Sequence, residues 1–153
     1  MKHLLFAAAS FVLAALPGVA HAQALEPLTV KSGDKVHAFQ VEVADSEEET
    51  QRGLMNRAEL GKDRGMIFDF GQPRETGMWM KNTLIPLDML FLDTDGTVLA
   101  IAENARPHSL RVINPGFVVK GVLEINGGQS AELGIKPGDT VVHPIFKPKA
   151  NGG

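Results

Sequence analysis

Apolar and polar residues alternate with a period of two along much of this chain, the pattern of strands with one buried face. His37, Phe39, Val41 and Val43 alternate with Ala38, Gln40 and Glu42, which predicts a half-buried strand. Residues 66–70 read as a second strand, closed by Gly71 and Pro73. Residues 75–81 read as a third, with Glu75, Gly77, Trp79 and Lys81 on one face and Thr76, Met78 and Met80 on the other. Residues 87–93 have little polar content, as a central strand buried on both faces should. Thr94-Asp-Gly96 is a hairpin signal, and residues 97–102 return antiparallel. Residues 103–116 carry Pro107, Pro115 and Gly116 and read as a long loop. Strands are expected at 117–125 and 140–146, with a turn at Asn126-Gly-Gly128 and one helical turn at 129–133 between them.

One segment breaks the period of two. Ser46 can cap a helix, Glu49 stands three residues later as a capping box requires, and Glu47, Glu48 and Glu49 put negative charge in the first turn. A short helix near residues 47–55 is predicted, with Glu48 and Arg52 as an i,i+4 pair. Gly53 is costly inside a helix, and a close backbone approach would explain it. Many short strands, turn signals between them and one helix predict a mainly-β fold. The segment Gly134-Ile-Lys-Pro-Gly-Asp139 also suits a small β-barrel.

The ends change the picture of where the chain belongs. Lys2 and His3, then an apolar run from Leu4 to Leu16, then Ala20-His21-Ala22, form the order of a secretory signal peptide over residues 1–22. Export by a cleavable signal, and a periplasmic location in a double-membrane bacterium, are therefore expected. The apolar run is shorter than the about 20 residues a transmembrane helix needs, so no membrane insertion is expected after cleavage. Residues 23–35 read as a leader and turn, 36–147 as a single β-rich domain and 148–153 as a flexible tail. Without Lys2 the remaining chain carries 14 basic and 18 acidic side chains. That mild acidity argues against nucleic acid or anionic lipid as a partner. The absence of cysteine excludes thiol catalysis, thiolate metal sites and disulfide exchange.

Four motifs stand out in this framework: Arg52-Gly-Leu-Met55, Gly65-Met-Ile-Phe68, the stretch 77–93 with the sole tryptophan and the Lys81-Asn82-Thr83 corner, and Val122-Leu-Glu-Ile125. In these motifs, across residues 36–146, the chain resembles a family known only as domain of unknown function 192. The resemblance implies a jelly-roll-like β-sandwich with a small helical excursion. It implies no established activity and supplies no catalytic residue.

Candidate chemistry rests on the residues themselves. Asp88 lies in an apolar strand, where a carboxylate needs a dedicated partner. It either pins the corner by accepting backbone N–H bonds or forms the polar floor of a pocket. Glu124 raises the same question: it pairs with Lys120 on one face, or it meets Asp88, Lys81 or Arg52 in a cleft. Trp79 is either core or a stacking platform. Glu103, Asn104, Arg106, His108 and Arg111 make the loop 103–116 a second candidate wall. The leading expectation is a binding or accessory module with a cleft formed by Trp79, Lys81, Asn82 and Asp88, faced by Glu124 or His108, for a small envelope-derived or carbohydrate-like ligand. One alternative is a hydrolase using Asp88 and Glu124 as an acid–base pair. Another is a copper(I) carrier built on Met55, Met66, Met78, Met80 and Met89. No nucleophile elbow, zinc-protease helix, phosphate loop or EF-hand is present, so no cofactor is expected from motifs.

Overall fold

The computed structural model describes residues 23–147; the expected signal peptide and tail lie outside them. In chain order the elements are β1 (Leu25–Ser32), β2 (Lys35–Ala44), α1 (Glu47–Arg52), β3 (Arg64–Arg74), β4 (Leu87–Leu92), β5 (Val98–Ala105), β6 (Val119–Asn126), α2 (Gln129–Leu133) and β7 (Thr140–Val142). The seven strands form one sheet in the order β5-β4-β6-β3-β2-β1-β7. All neighbours are antiparallel except β2 and β3. Those two run parallel because α1 and the segment after it carry the chain across, as a parallel pair requires.

The mainly-β class is as expected, and the sheet curls until its edges meet. A bridge joins Thr97 to Thr140, Val98 N–H donates to Asp139 O at 2.8 Å, and Val141 N–H donates to Gly96 O at 2.8 Å. Closure of this kind removes the exposed edges that would otherwise recruit another chain. The concave side holds one apolar cluster, with Val30, Phe39, Val41, Ile67, Leu90, Leu123 and Ile125. The convex side holds a second, with Met66, Phe68, Met89, Phe91 and Val122 roofed by Leu54, Leu60, Met78, Met80, Ile85 and Ile113. The middle strands are thus buried on both faces, and all six residues of β4 are buried.

Four expectations are corrected. Residues 25–32, read as leader, form β1, because Leu28 and Val30 turn inward and Thr29–Lys31 pair with β7. Residues 75–81 do not join the sheet; one bridge, Met78 with Ile113, is their strand-like pairing. Their alternation is nevertheless real, since Trp79 is exposed and Met80 fully buried. The period reports which side faces the core, and a roof segment obeys it as a strand does. The last strand stops at Val142 rather than running to 146, because Pro144 cannot donate to a ladder. The helix also ends early, at Arg52, although its capping box is present as predicted.

Gly96 tests the closure. It sits at φ 82°, and an added Cβ would stand 2.0 Å from Val141 O. Gly71, at φ 74°, has nothing near. Gly71→Ala should cost about 1 kcal/mol for its left-handed backbone alone, and Gly96→Ala about 3 kcal/mol, in urea unfolding. Equal costs would mean the sheet does not close there.

Candidate functional site

The register of β4 on β6 decides what the two buried carboxyl groups can do. Asp88 stands opposite Ile125, and Glu124 stands opposite Met89. Directly opposed residues share a face and successive residues alternate. Asp88 therefore points to the concave side and Glu124 to the convex side. They do not form an acid–base pair, which removes the structural basis of the hydrolase reading.

Asp88 is fully buried and saturated. Its carboxylate accepts from the backbone N–H of Asn104, Gly128 and Ser130, each at 2.8 Å, and from the Ser130 hydroxyl at 2.5 Å. Asn104 sits at φ 49° and Gly128 at φ 83°, left-handed conformations that bring their N–H groups onto this acceptor. The carboxylate pins the end of β5 and the turn into α2, rather than the Lys81-Asn82-Thr83 corner. It offers no lone pair to a ligand.

Glu124 is the opposite case. It is 4% exposed, and among the described residues no hydrogen-bond donor or cation reaches its carboxyl. Lys120, the expected partner, pairs with Asp69 instead. Burial alone pushes the Glu124 pKa up to about 8, because the charged form loses its hydration without compensation. At neutral pH the group is mostly a carboxylic acid, able both to donate and to accept a hydrogen bond.

The carboxyl lines a narrow pocket of about 60 Å³ in the convex roof, bounded by Arg52, Gly53, Met55, Met78, Trp79 and Thr83. Gly53 is required there: it sits at φ 48°, and a Cβ would lie 3.2 Å from the Phe68 ring. The close approach that Gly53 implied is thus to Phe68. Trp79 is 44% exposed, with the Lys81 ammonium 5.1 Å from its ring centroid, a cation–π distance. Two wider hollows, of about 360 and 470 Å³, lie elsewhere on the surface.

Of the six residues expected at a site, the structure brings Trp79 and Glu124 into this pocket and leaves Lys81 on the outer side of the Trp79 ring. Asn82, at φ 52°, forms the corner, and its carbonyl accepts from Asn56 N–H at 2.8 Å. His108, at φ 62°, donates its N–H to Thr83 O at 3.1 Å and holds the loop against the corner. Asp88 is behind the sheet. Met66, Met80 and Met89 are core side chains, and Met55 and Met78 alone of the five methionines reach the pocket. Among the described residues no group of three or more His, Asp or Glu is placed to hold a metal ion. Gly53 and Thr83 were not expected to line a site with Glu124, Arg52 was expected there as one of three alternatives, and Met55 and Met78 were expected only as copper ligands. The signal for them lay in the motifs: the four segments that carry the family resemblance converge around this one pocket.

A family model described as Uncharacterized ACR, domain of unknown function 192, matches residues 28–143. The chain belongs to this family. Two crystal structures of similar proteins share its fold. One, of a proposed transcription regulator from Sinorhizobium meliloti 1021, is 42% identical, with a TM-score of 0.79 over 81% of this chain and 97% of that one. The other, of a protein of unknown function from Novosphingobium aromaticivorans DSM 12444, is 42% identical, with a TM-score of 0.78 over 85% of this chain and 94% of that one. No curated protein matches.

The two carboxyls should behave oppositely. Asp88→Ala strands three backbone N–H groups and should cost roughly 3 kcal/mol or more in urea unfolding. For Glu124 the folded pKa lies above the unfolded value of 4.5, so the folded state holds the extra proton between the two values. Stability therefore falls as pH rises from 4.5 towards 8 and levels off above. Glu124→Gln keeps the shape without the ionisation and should flatten that slope, measured as unfolding free energy against pH. An unchanged slope would show that Glu124 is not its source.

Proposed function

We propose that this member of the family is an exported binding module whose convex pocket takes a small neutral, polar group of an envelope-derived or carbohydrate-like ligand. The observation that carries this reading is Glu124: a buried carboxyl with no partner of its own, opening into a pocket beside a half-exposed tryptophan. Buried polar groups are normally satisfied, and one left unsatisfied at a pocket floor is prepared for a group from outside. A protonated acid hydrogen-bonds a hydroxyl or carbonyl readily, whereas an anion would lose its hydration against an uncharged partner. The Trp79 ring supplies a flat apolar wall on which the remainder of a sugar-like ligand can stack. The pocket is too small for a whole sugar, so the ligand would insert one substituent and lie across the ring. Export rests on the order of residues 1–22 and places the ligand in the cell envelope.

A transcription regulator, as the Sinorhizobium relative is described, needs cations along a phosphate backbone. A net charge of −3 and a pocket ending in an uncharged acid support the ligand reading instead.

Trp79 is the only tryptophan, so its emission reports binding directly. Titration with a panel of neutral and anionic saccharides should shift that emission for neutral members. Glu124→Leu should weaken the best of them about tenfold, the effect of one lost hydrogen bond, while Glu124→Gln stays within about threefold. Equal affinity of Glu124→Leu and the parent would remove Glu124 from the site. A panel that leaves the emission unmoved would remove the saccharide class.

A further inference from the structure

Net charge conceals a sharp local asymmetry. The roof stretches 76–86 and 106–118 contain Lys81, Arg106 and Arg111 and no aspartate or glutamate, with the exposed Glu75 and Glu103 flanking them. These segments run side by side: Met78 pairs with Ile113, Met80 N–H donates to Ser109 O at 3.0 Å, and His108 N–H donates to Thr83 O at 3.1 Å. Lys120 is neutralised by Asp69. Lys81, Arg106 and Arg111 form no ion pair among the described residues, and all three are exposed.

The same strip exposes large apolar side chains. Leu110 is 68% exposed, Val112 60%, Trp79 44% and Leu84 43%. Val112 lies against Gly77, where an added Cβ would stand 2.4 Å from its Cγ1, so it borders the tryptophan segment. Phe117 and Val118 continue the exposed apolar run along the same loop. Aliphatic side chains this open, set among unpaired cations and one tryptophan, match the interface of an anionic membrane. Acyl chains accept the aliphatics, lipid phosphates accept the cations, and tryptophan favours the headgroup level.

We infer that the Trp79–Lys81 and Arg106–Val112 strip docks the protein on the surface of an anionic lipid leaflet. The contact is peripheral, since no helix among the described residues is long and apolar enough to cross a membrane. The overall acidity of the chain includes the acidic first turn of α1, which is a separate segment from this strip. The inference stands on charge and exposure; it shares Trp79 with the Glu124 pocket but requires no ligand there. A nucleic acid fits the strip less well, because a phosphate track has no use for Leu110 and Val112 beside only three free cations.

The test uses the chain from Gln23 to Gly153, which contains every residue of both apolar clusters and excludes the apolar run of the signal. Sedimentation with vesicles of phosphatidylglycerol and phosphatidylcholine should carry the protein down, and vesicles of phosphatidylcholine alone should not. Binding should weaken with salt and shift Trp79 emission to the blue. Arg106→Ser with Arg111→Ser should reduce the partition coefficient roughly 25-fold, about fivefold per lost cation. Leu110→Ser with Val112→Ser should reduce it while leaving the urea midpoint in place, since both residues are exposed. Failure to bind the anionic vesicles overturns the inference. So does undiminished binding by either double variant, preferential binding of a DNA duplex, or burial of the strip in a dimer of this chain.

Discussion

The pairing of β4 with β6 is the constraint on which the site depends. Both strands are buried on both faces, so neither can slip by a residue without exchanging every side chain between the two cores. Within that fixed register Asp88 and Glu124 must face opposite ways. One carboxyl reaches the turn into α2 and the end of β5, where backbone N–H groups converge on it. The other reaches the underside of the roof, where no described residue answers it. The same residue chemistry thus serves the fold on one side of the sheet and stays available on the other.

The roof explains how a buried acid can still be reached. It is built from irregular segments rather than a second sheet, and Gly53 lets the chain after α1 approach Phe68 closely. Trp79 and Met78 come from one roof segment, Arg52 and Met55 from another, and Glu124 from the sheet beneath. A pocket between such layers is narrow, because each layer is anchored by its own apolar side chains in the convex core. Desolvation follows from that narrowness, and the neutral state of Glu124 follows from the desolvation.

Much of the architecture was legible in the chain. The capping box at Ser46 and Glu49, the apolar run of β4, the Thr94-Asp-Gly96 turn and the single turn of α2 were readable because each depends on local chemistry. β1 was missed because Pro27 and the breakers at 32–34 masked an alternation of only Leu28 and Val30. Residues 75–81 looked like a strand because a roof segment over a sheet has the same inward–outward period. The site was legible in part: Trp79 and Glu124 were singled out, and Gly53 hinted at close approach. Which face each carboxyl takes was not readable, because register is a property of two strands together. That Asp88 accepts backbone N–H bonds was one of two readings the chain offered, but which N–H groups was not readable, because Asn104, Gly128 and Ser130 lie 16, 40 and 42 residues away along the chain.

The account turns on the ionisation of one side chain. Carbon-13 NMR of the Glu124 carboxyl across a pH titration, assigned by loss of its signal in Glu124→Gln, reads that ionisation directly. A midpoint near 8 is the result expected of an uncompensated acid beneath the roof. A midpoint at the ordinary value of 4.5 would mean that water or a cation already satisfies the group, and the pocket would lose the feature that marks it as a site.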